Sequence, residues 1–119
     1  MGRIPELQLL GAKDMSEAQL LSSVLFALRR LPHVHAMRLN SGMTVVQTGT
    51  SRRMIKGCEP GTPDILCLLR DGRCVWLELK SDRGKVSATQ AAWHAMAANM
   101  GHTVHVVRSI ADAMKAVAA

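Results

Sequence analysis

The sequence predicts an α/β fold in which helices cover both faces of a mixed β-sheet. Two segments with apolar residues at helical spacing each begin at a serine followed three residues later by a glutamine, the pattern of a helix capping box. Apolar runs of strand length surround a glycine-containing turn in the middle of the chain. A further apolar run follows the second helix, which predicts a right-handed crossover between two parallel strands.

Length and composition indicate one domain over residues 1–119, with an irregular arm at residues 1–13. The chain has 119 residues, of which 48% are hydrophobic, enough for a core of two or more layers. No apolar segment reaches transmembrane length, and the first residues have no signal-peptide pattern. We therefore expect a cytoplasmic protein that does not bind membranes.

The first helix begins at Ser16, which forms a capping box with Gln19, and ends before Pro32. Glu17 falls on its inward stripe, although a carboxylate at this position also complements the helix dipole. Strand-like segments follow at residues 34–39 and 44–48, around an Asn-Ser-Gly turn.

A basic segment at residues 49–59 is predicted to be a loop between two sheet elements. It carries Arg52, Arg53 and Lys56, and the whole chain has a formal charge of +6. Such a loop is suited to contact a phosphate backbone, although an ordinary solvated loop has the same composition. The surplus charge favours a polyanionic partner such as nucleic acid, but simple solubility explains it equally well.

The central stretch, residues 61–80, predicts two strands around a turn at Asp71-Gly72. A plain two-residue loop would place Asp64 opposite Leu79, on the other face from Glu78. A three-residue loop with its glycine in the left-handed conformation places Asp64 directly opposite Glu78. We predict this second register, because it brings the two charges together within otherwise apolar strands.

Two facing carboxylates on a rigid sheet form an oxygen-rich pocket of the kind that Mg²⁺ or Mn²⁺ prefers. Lys80 shares the face of Glu78 and can assist an attacking water or neutralise charge on a phosphate. The alternative is a salt bridge of Lys80 to Asp64 or Glu78 at the end of a strand.

The remaining elements complete the crossover. Lys85 lies in a polar connector, where it can reach a phosphate near the end of the lysine-bearing strand. Ser87 and Gln90 form a second capping box, and the helix they open stops at Gly101. A strand at residues 103–108 and a short helix at residues 110–117 follow.

These residues resemble the PD-(D/E)XK nuclease signature, and the flanking features resemble the VRR-NUC branch of that superfamily. The resemblance extends from about Ser16 to Val117. The segments that carry it are Ser16-Glu17-Ala18-Gln19, Arg38-Leu39-Asn40-Ser41-Gly42, Gly61-Thr62-Pro63-Asp64, Trp76-Leu77-Glu78-Leu79-Lys80-Ser81, Gly84-Lys85-Val86-Ser87 with Gln90, and Gly101 before His105-Val106-Val107.

The resemblance implies a restriction-endonuclease-like αβββαβ core and a nuclease dependent on Mg²⁺ or Mn²⁺. It implies site residues from three elements and their connections: Asp64, Glu78 and the carbonyl of Leu79 as ligands of one or two ions, Lys80 to assist the water, Glu17 as an auxiliary acidic residue and Gln90 beside the active site. Gln90 has the alternative role of satisfying its own helix terminus.

Stand-alone members of that family are homodimeric endonucleases of viruses and bacteria that act on branched DNA, including four-way (Holliday) junctions. The resemblance therefore implies a bacterial or phage-encoded, junction-resolving enzyme. Two alternatives remain: a non-catalytic nucleic-acid-binding module, and a nuclease module that is active only with a replication or repair partner. No residue in the sequence excludes RNA as the substrate.

Overall fold

A computed structural model of the chain describes residues 15–41 and 43–119. The predicted arm at residues 1–13 lies outside the described residues. The helices and strands, in chain order, are α1 (Glu17–Leu28), β1 (Val34–Arg38), β2 (Met43–Thr48), β3 (Ser51–Lys56), β4 (Ile65–Leu69), β5 (Cys74–Leu79), α2 (Ala88–Asn99), β6 (Val104–Val107) and α3 (Ile110–Ala116). Across these described ranges, every helix falls short of the length and apolarity needed to cross a membrane.

The main sheet has the strand order β1-β4-β5-β6. Strands β1, β4 and β5 are antiparallel neighbours, and β6 runs parallel to β5 after the α2 crossover. The succession α1-β1-β4-β5-α2-β6 is the predicted αβββαβ core, so the restriction-endonuclease-like fold is confirmed.

Alternation along β5 assigns the helices to the two faces of this sheet. Val75, Leu77 and Leu79 are buried in the hydrophobic core with residues of α1 and α3. Trp76 and Glu78 face the other way and contact α2. The prediction of helices on both faces is therefore confirmed.

The core forms because α1 presents an apolar stripe to the sheet. Its buried residues are Leu20, Val24, Leu25 and Leu28, at the spacing of one helix face. Each fully buried aliphatic side chain contributes about 2 kcal/mol relative to an exposed one. Both capping boxes are present, with Ser16 and Ser87 as the N-caps of α1 and α2.

The hairpin of β4 and β5 has the predicted register. Ile65 pairs with Leu77, and the Leu69 N–H donates to the Arg73 carbonyl at 2.9 Å. Gly72 has φ +95, a conformation that costs an L-residue with a Cβ about 1–2 kcal/mol. The three-residue loop therefore sets the pairing that aligns position 64 with Glu78.

Strand β3 corrects the prediction of a basic loop. Residues 51–56, placed in that loop from the sequence, pair along their whole length with β2 in a separate two-stranded sheet, which we call the β2–β3 ribbon. Gly49, with φ +60, occupies the first position of its two-residue loop, as tight hairpins favour. The strand was not predicted because all its residues are exposed. A solvated ribbon buries no face, so its sequence lacks the alternation of apolar and polar residues that indicates a strand.

Candidate active site

Asp64 is fixed at the end of the main sheet by three hydrogen bonds. Its backbone N–H donates to the Leu77 carbonyl at 3.1 Å, and its carbonyl accepts from the Leu39 N–H at 2.8 Å. Its carboxylate oxygen Oδ2 accepts from the Leu79 N–H at 2.7 Å. The aspartate side chain is therefore tied to the strand that carries Glu78.

Glu78 is a buried carboxyl group beside Asp64. Glu78 is 0% exposed to solvent, and Lys80, two residues further along the chain, is 7% exposed. Burial raises the pKa of Glu78 to about 8, and the hydrogen bond and charge of the neighbouring Asp64 add to the effect, while Lys80 opposes it. Glu78 is therefore mostly protonated at neutral pH unless further positive charge enters the site.

Two residues of α2 bind the same carboxylate. Gln90 Nε2 donates to Glu78 Oε2 at 3.3 Å, and His94 Nε2 lies 3.0 Å from Glu78 Oε1. Burial and the charge of Lys80 lower the pKa of His94, so this contact joins a neutral imidazole to Glu78 rather than forming an ion pair.

Gln90 both caps its own helix and contacts Glu78. Its Oε1 accepts from the Ser87 N–H at 2.9 Å and closes the capping box, while its Nε2 reaches Glu78. Sequence reasoning missed His94. The signal that was available is its spacing, four residues after Gln90 and therefore on the same face of the helix.

Helix α2 is held at this site mainly by specific contacts, since most of its residues are exposed. Gly61 packs against the first turn of this helix and has φ +91. A Cβ at this position would lie only 2.6 Å from the Thr89 carbonyl oxygen, so the close approach requires glycine. The ring of Trp93 lies 5.0 Å from that of Trp76, and its Nε1 donates to Glu59 Oε1 at 3.0 Å. These contacts place Gln90 and His94 over Glu78.

Glu17 lies in the first turn of α1 and is exposed. The prediction that it belongs to the buried stripe is therefore wrong, because residues 16–19 are exposed and the buried stripe of α1 begins only at Leu20. Its charge nonetheless adds to the rise in the Glu78 pKa, as the smallest contribution.

The predicted nucleic-acid contacts lie outside this cluster. Arg52, Arg53 and Lys56 are exposed on the β2–β3 ribbon, and Lys85 is exposed in the connector before α2. The base of the ribbon is closed by a hydrogen bond of 2.7 Å from the Cys58 N–H to the Asn40 carbonyl. Asn40 directly follows Leu39, the backbone partner of Asp64, so the ribbon starts beside the carboxyl pair.

The donors at the site suit a hard divalent cation. Within residues 15–41 and 43–119, no three His, Cys, Asp or Glu side chains are grouped closely enough to hold a metal ion by themselves. The carboxylates of Asp64 and Glu78 and the backbone carbonyl of Leu79 are all oxygen donors, and Mg²⁺ is commonly held by one or two carboxylates completed by water and substrate phosphate. A buried Glu78 beside a partly buried Asp64, with oxygen donors on both, fits such an ion.

The VRR-NUC domain model matches residues 16–111, which include every residue of this cluster. The chain belongs to the VRR-NUC family. Comparison with curated proteins and with solved structures gives no match in either case. As a VRR-NUC domain the chain is a nuclease module, which implies DNA as its substrate.

The raised pKa of Glu78 makes the stability of the ion-free VRR-NUC domain depend on pH. Its pKa in the fold is about 8, against an ordinary value of 4.5. The fold therefore favours the protonated form, and this stabilisation is lost as the pH rises through the folded pKa. With a chelator present, we expect the urea concentration at the unfolding midpoint to decrease as the pH is raised from about 6.5 to about 8.5. The lowered pKa of His94 keeps its imidazole neutral over this range.

Glu78→Gln is the matched control for this experiment, because it removes the titrating proton and keeps the shape of the side chain. We expect the profile of this variant to be flat over the same range. A wild-type midpoint that rises or stays level would contradict the raised pKa.

Proposed function

We propose that this VRR-NUC domain is a divalent-metal-dependent endodeoxyribonuclease. The observation that carries the proposal is the buried Glu78 beside the partly buried Asp64, with the buried Lys80 two positions further along the chain. Asp64, Glu78 and the carbonyl of Leu79 hold Mg²⁺ or Mn²⁺. When bound, the ion supplies charge that stabilises the scissile phosphate and activates water.

Lys80 is the residue best situated to handle the attacking water. Its residue is almost fully buried next to two carboxyl groups, so its ammonium group faces the acidic site rather than solvent. As an ammonium group it has donors and no lone pair, so it orients the attacking water and neutralises the charge that develops on the phosphate as the bond to phosphorus forms. Glu17 and Gln90 are auxiliary: the first adds negative charge at the rim, and the second binds Glu78 Oε2.

The β2–β3 ribbon is the main DNA-binding element of the proposal. A two-stranded ribbon fits the major groove of duplex DNA, and this one carries Arg52 and Lys56 on one face and Arg53 on the other. Six residues per strand give a reach of about 20 Å from a base that lies beside Asp64. Lys85 provides a further phosphate contact next to the end of β5.

We extend the proposal to branched DNA, including four-way junctions, and to a homodimer in the cytoplasm of a bacterial or phage-infected cell. This extension rests on the family resemblance and on size, since a domain of 119 residues has little surface with which to grip two duplex arms. Two copies double that surface and supply the two incisions that junction resolution requires. A replication or repair protein that delivers the substrate is compatible with this role.

Substitution of the cluster separates catalysis from folding. Asp64→Ala and Lys80→Ala should each reduce Mg²⁺-dependent or Mn²⁺-dependent cleavage by about 100-fold or more, because each removes a group that acts on the reacting atoms. The measurement is the rate of cleavage of labelled four-way junction, flap, single-stranded and linear duplex DNA, with and without Mn²⁺.

DNA affinity and the far-ultraviolet circular dichroism spectrum serve as controls, and both should be retained in these variants. Undiminished cleavage by Asp64→Ala would remove the proposed mechanism. Binding that depends on salt, without product in either metal, would instead favour a non-catalytic module.

The role of the ribbon is tested by comparing two double substitutions, each of which removes two consecutive arginines and therefore the same charge. In an Asp64→Asn background that prevents cleavage, Arg52→Ala with Arg53→Ala should weaken DNA binding and reduce the slope of log affinity against log salt by about 2, one for each phosphate that is no longer neutralised. The control is Arg29→Ala with Arg30→Ala, an exposed pair at the other end of α1 from Glu17. Equal losses of affinity for the two pairs would show that only net charge matters.

A further inference from the structure

Helix α2 grips one carboxylate with two side chains that are one turn apart. Gln90 contacts Oε2 of Glu78 and His94 contacts Oε1, so each oxygen has its own partner from the helix. The carboxylate is fully buried, whereas the histidine side chain is only partly buried, at 18% exposure. The side chains of α2 therefore extend into the interior to contact Glu78, whose carboxylate does not reach solvent.

A glutamate in this position needs such partners. Its long side chain has three rotatable bonds, and Asp64 and Lys80 both lie close enough to affect its charge state. Each carboxylate oxygen has two lone pairs, so a donor on one side leaves the other free for a ligand. Hydrogen bonds to a metal-ligating carboxylate fix its orientation, and their loss typically weakens metal binding by about 10-fold to 100-fold.

We propose that His94 is a positioning residue that holds the Glu78 carboxylate in the orientation that binds the divalent ion. The inference rests on the proposed function, in which Glu78 is a ligand of that ion. To meet an ionised Glu78, the neutral ring must carry its proton on Nε2 and donate it to Oε1.

Because His94 contacts Glu78 through Nε2, substitutions that keep or remove a nitrogen at this position form a matched set of variants. Glutamine places an amide N–H close to the position of histidine Nε2, whereas asparagine is one methylene shorter and cannot reach Oε1. His94→Gln should therefore retain most of the positioning, and His94→Asn and His94→Ala should lose it. All three substitutions remove the imidazole from α2, so loss of ring packing alone would affect them together.

The experiment measures Mn²⁺ dissociation constants of the whole chain by electron paramagnetic resonance, without DNA. We expect His94→Ala and His94→Asn to bind Mn²⁺ about 10-fold to 100-fold more weakly than the wild type, and His94→Gln to stay near the wild-type value. In cleavage assays, saturating Mn²⁺ should restore the maximal rate of His94→Ala, because the group that acts on the reacting atoms is intact. Thermal unfolding in chelator checks that each variant folds.

Two outcomes would overturn the inference: Mn²⁺ binding by His94→Ala that equals the wild type, or a defect in His94→Gln as large as that in His94→Ala. Failure of the proposed function is distinguishable from these. A wild-type chain that binds Mn²⁺ with the expected order among variants but cleaves no DNA refutes the nuclease activity and leaves the role of His94 standing. A wild-type chain that binds no Mn²⁺ refutes both.

Discussion

The structure depends on one electrostatic constraint, the burial of Glu78 against Asp64. A buried carboxyl group beside a second, partly buried one resists ionisation unless positive charge is near, since desolvation and mutual repulsion both disfavour its charged form. The fold accepts this cost at the end of its central hairpin, where Leu79 donates a backbone N–H to Asp64 and Lys80 is nearly buried. A divalent cation would relieve the constraint more completely than one lysine, which connects the energetics of the fold to the proposed metal-dependent chemistry.

The same constraint accounts for the attachment of α2. This helix is mostly exposed, with Ala97 buried, and its contacts with the sheet include those at Glu78 and the tilted ring pair of Trp76 and Trp93. A helix held in this way depends on the state of the active site. Changes at Glu78 should therefore affect the docking of α2 as well as the proposed binding of an ion, and the two effects need separate readouts.

Sequence reasoning succeeded where local chemistry sets the structure. Capping boxes at Ser16 and Ser87 marked the helix starts, and the left-handed Gly72 set the hairpin register that aligns the carboxyl groups. The site residues on β5 follow from that register, because side chains alternate along a strand.

Reasoning from sequence failed where the deciding contact is tertiary. Each strand of the β2–β3 ribbon pairs along one edge only, and all residues of β3 are exposed to solvent. Its basic residues were therefore predicted to form a loop. Glu17 fits the helical stripe by spacing, but the stripe ends at the rim of the sheet. His94 acquires its role only when α2 is laid across β5, and Gly61 fixes that placement through its close approach to Thr89.

The most direct test of the central claim is a crystal structure of the chain grown with Mn²⁺, with anomalous scattering data that locate the ion. The account predicts an anomalous peak about 2.0–2.2 Å from carboxylate oxygens of both Asp64 and Glu78 and from the Leu79 carbonyl oxygen. A peak elsewhere, with no ion between the two carboxyl groups, would contradict it.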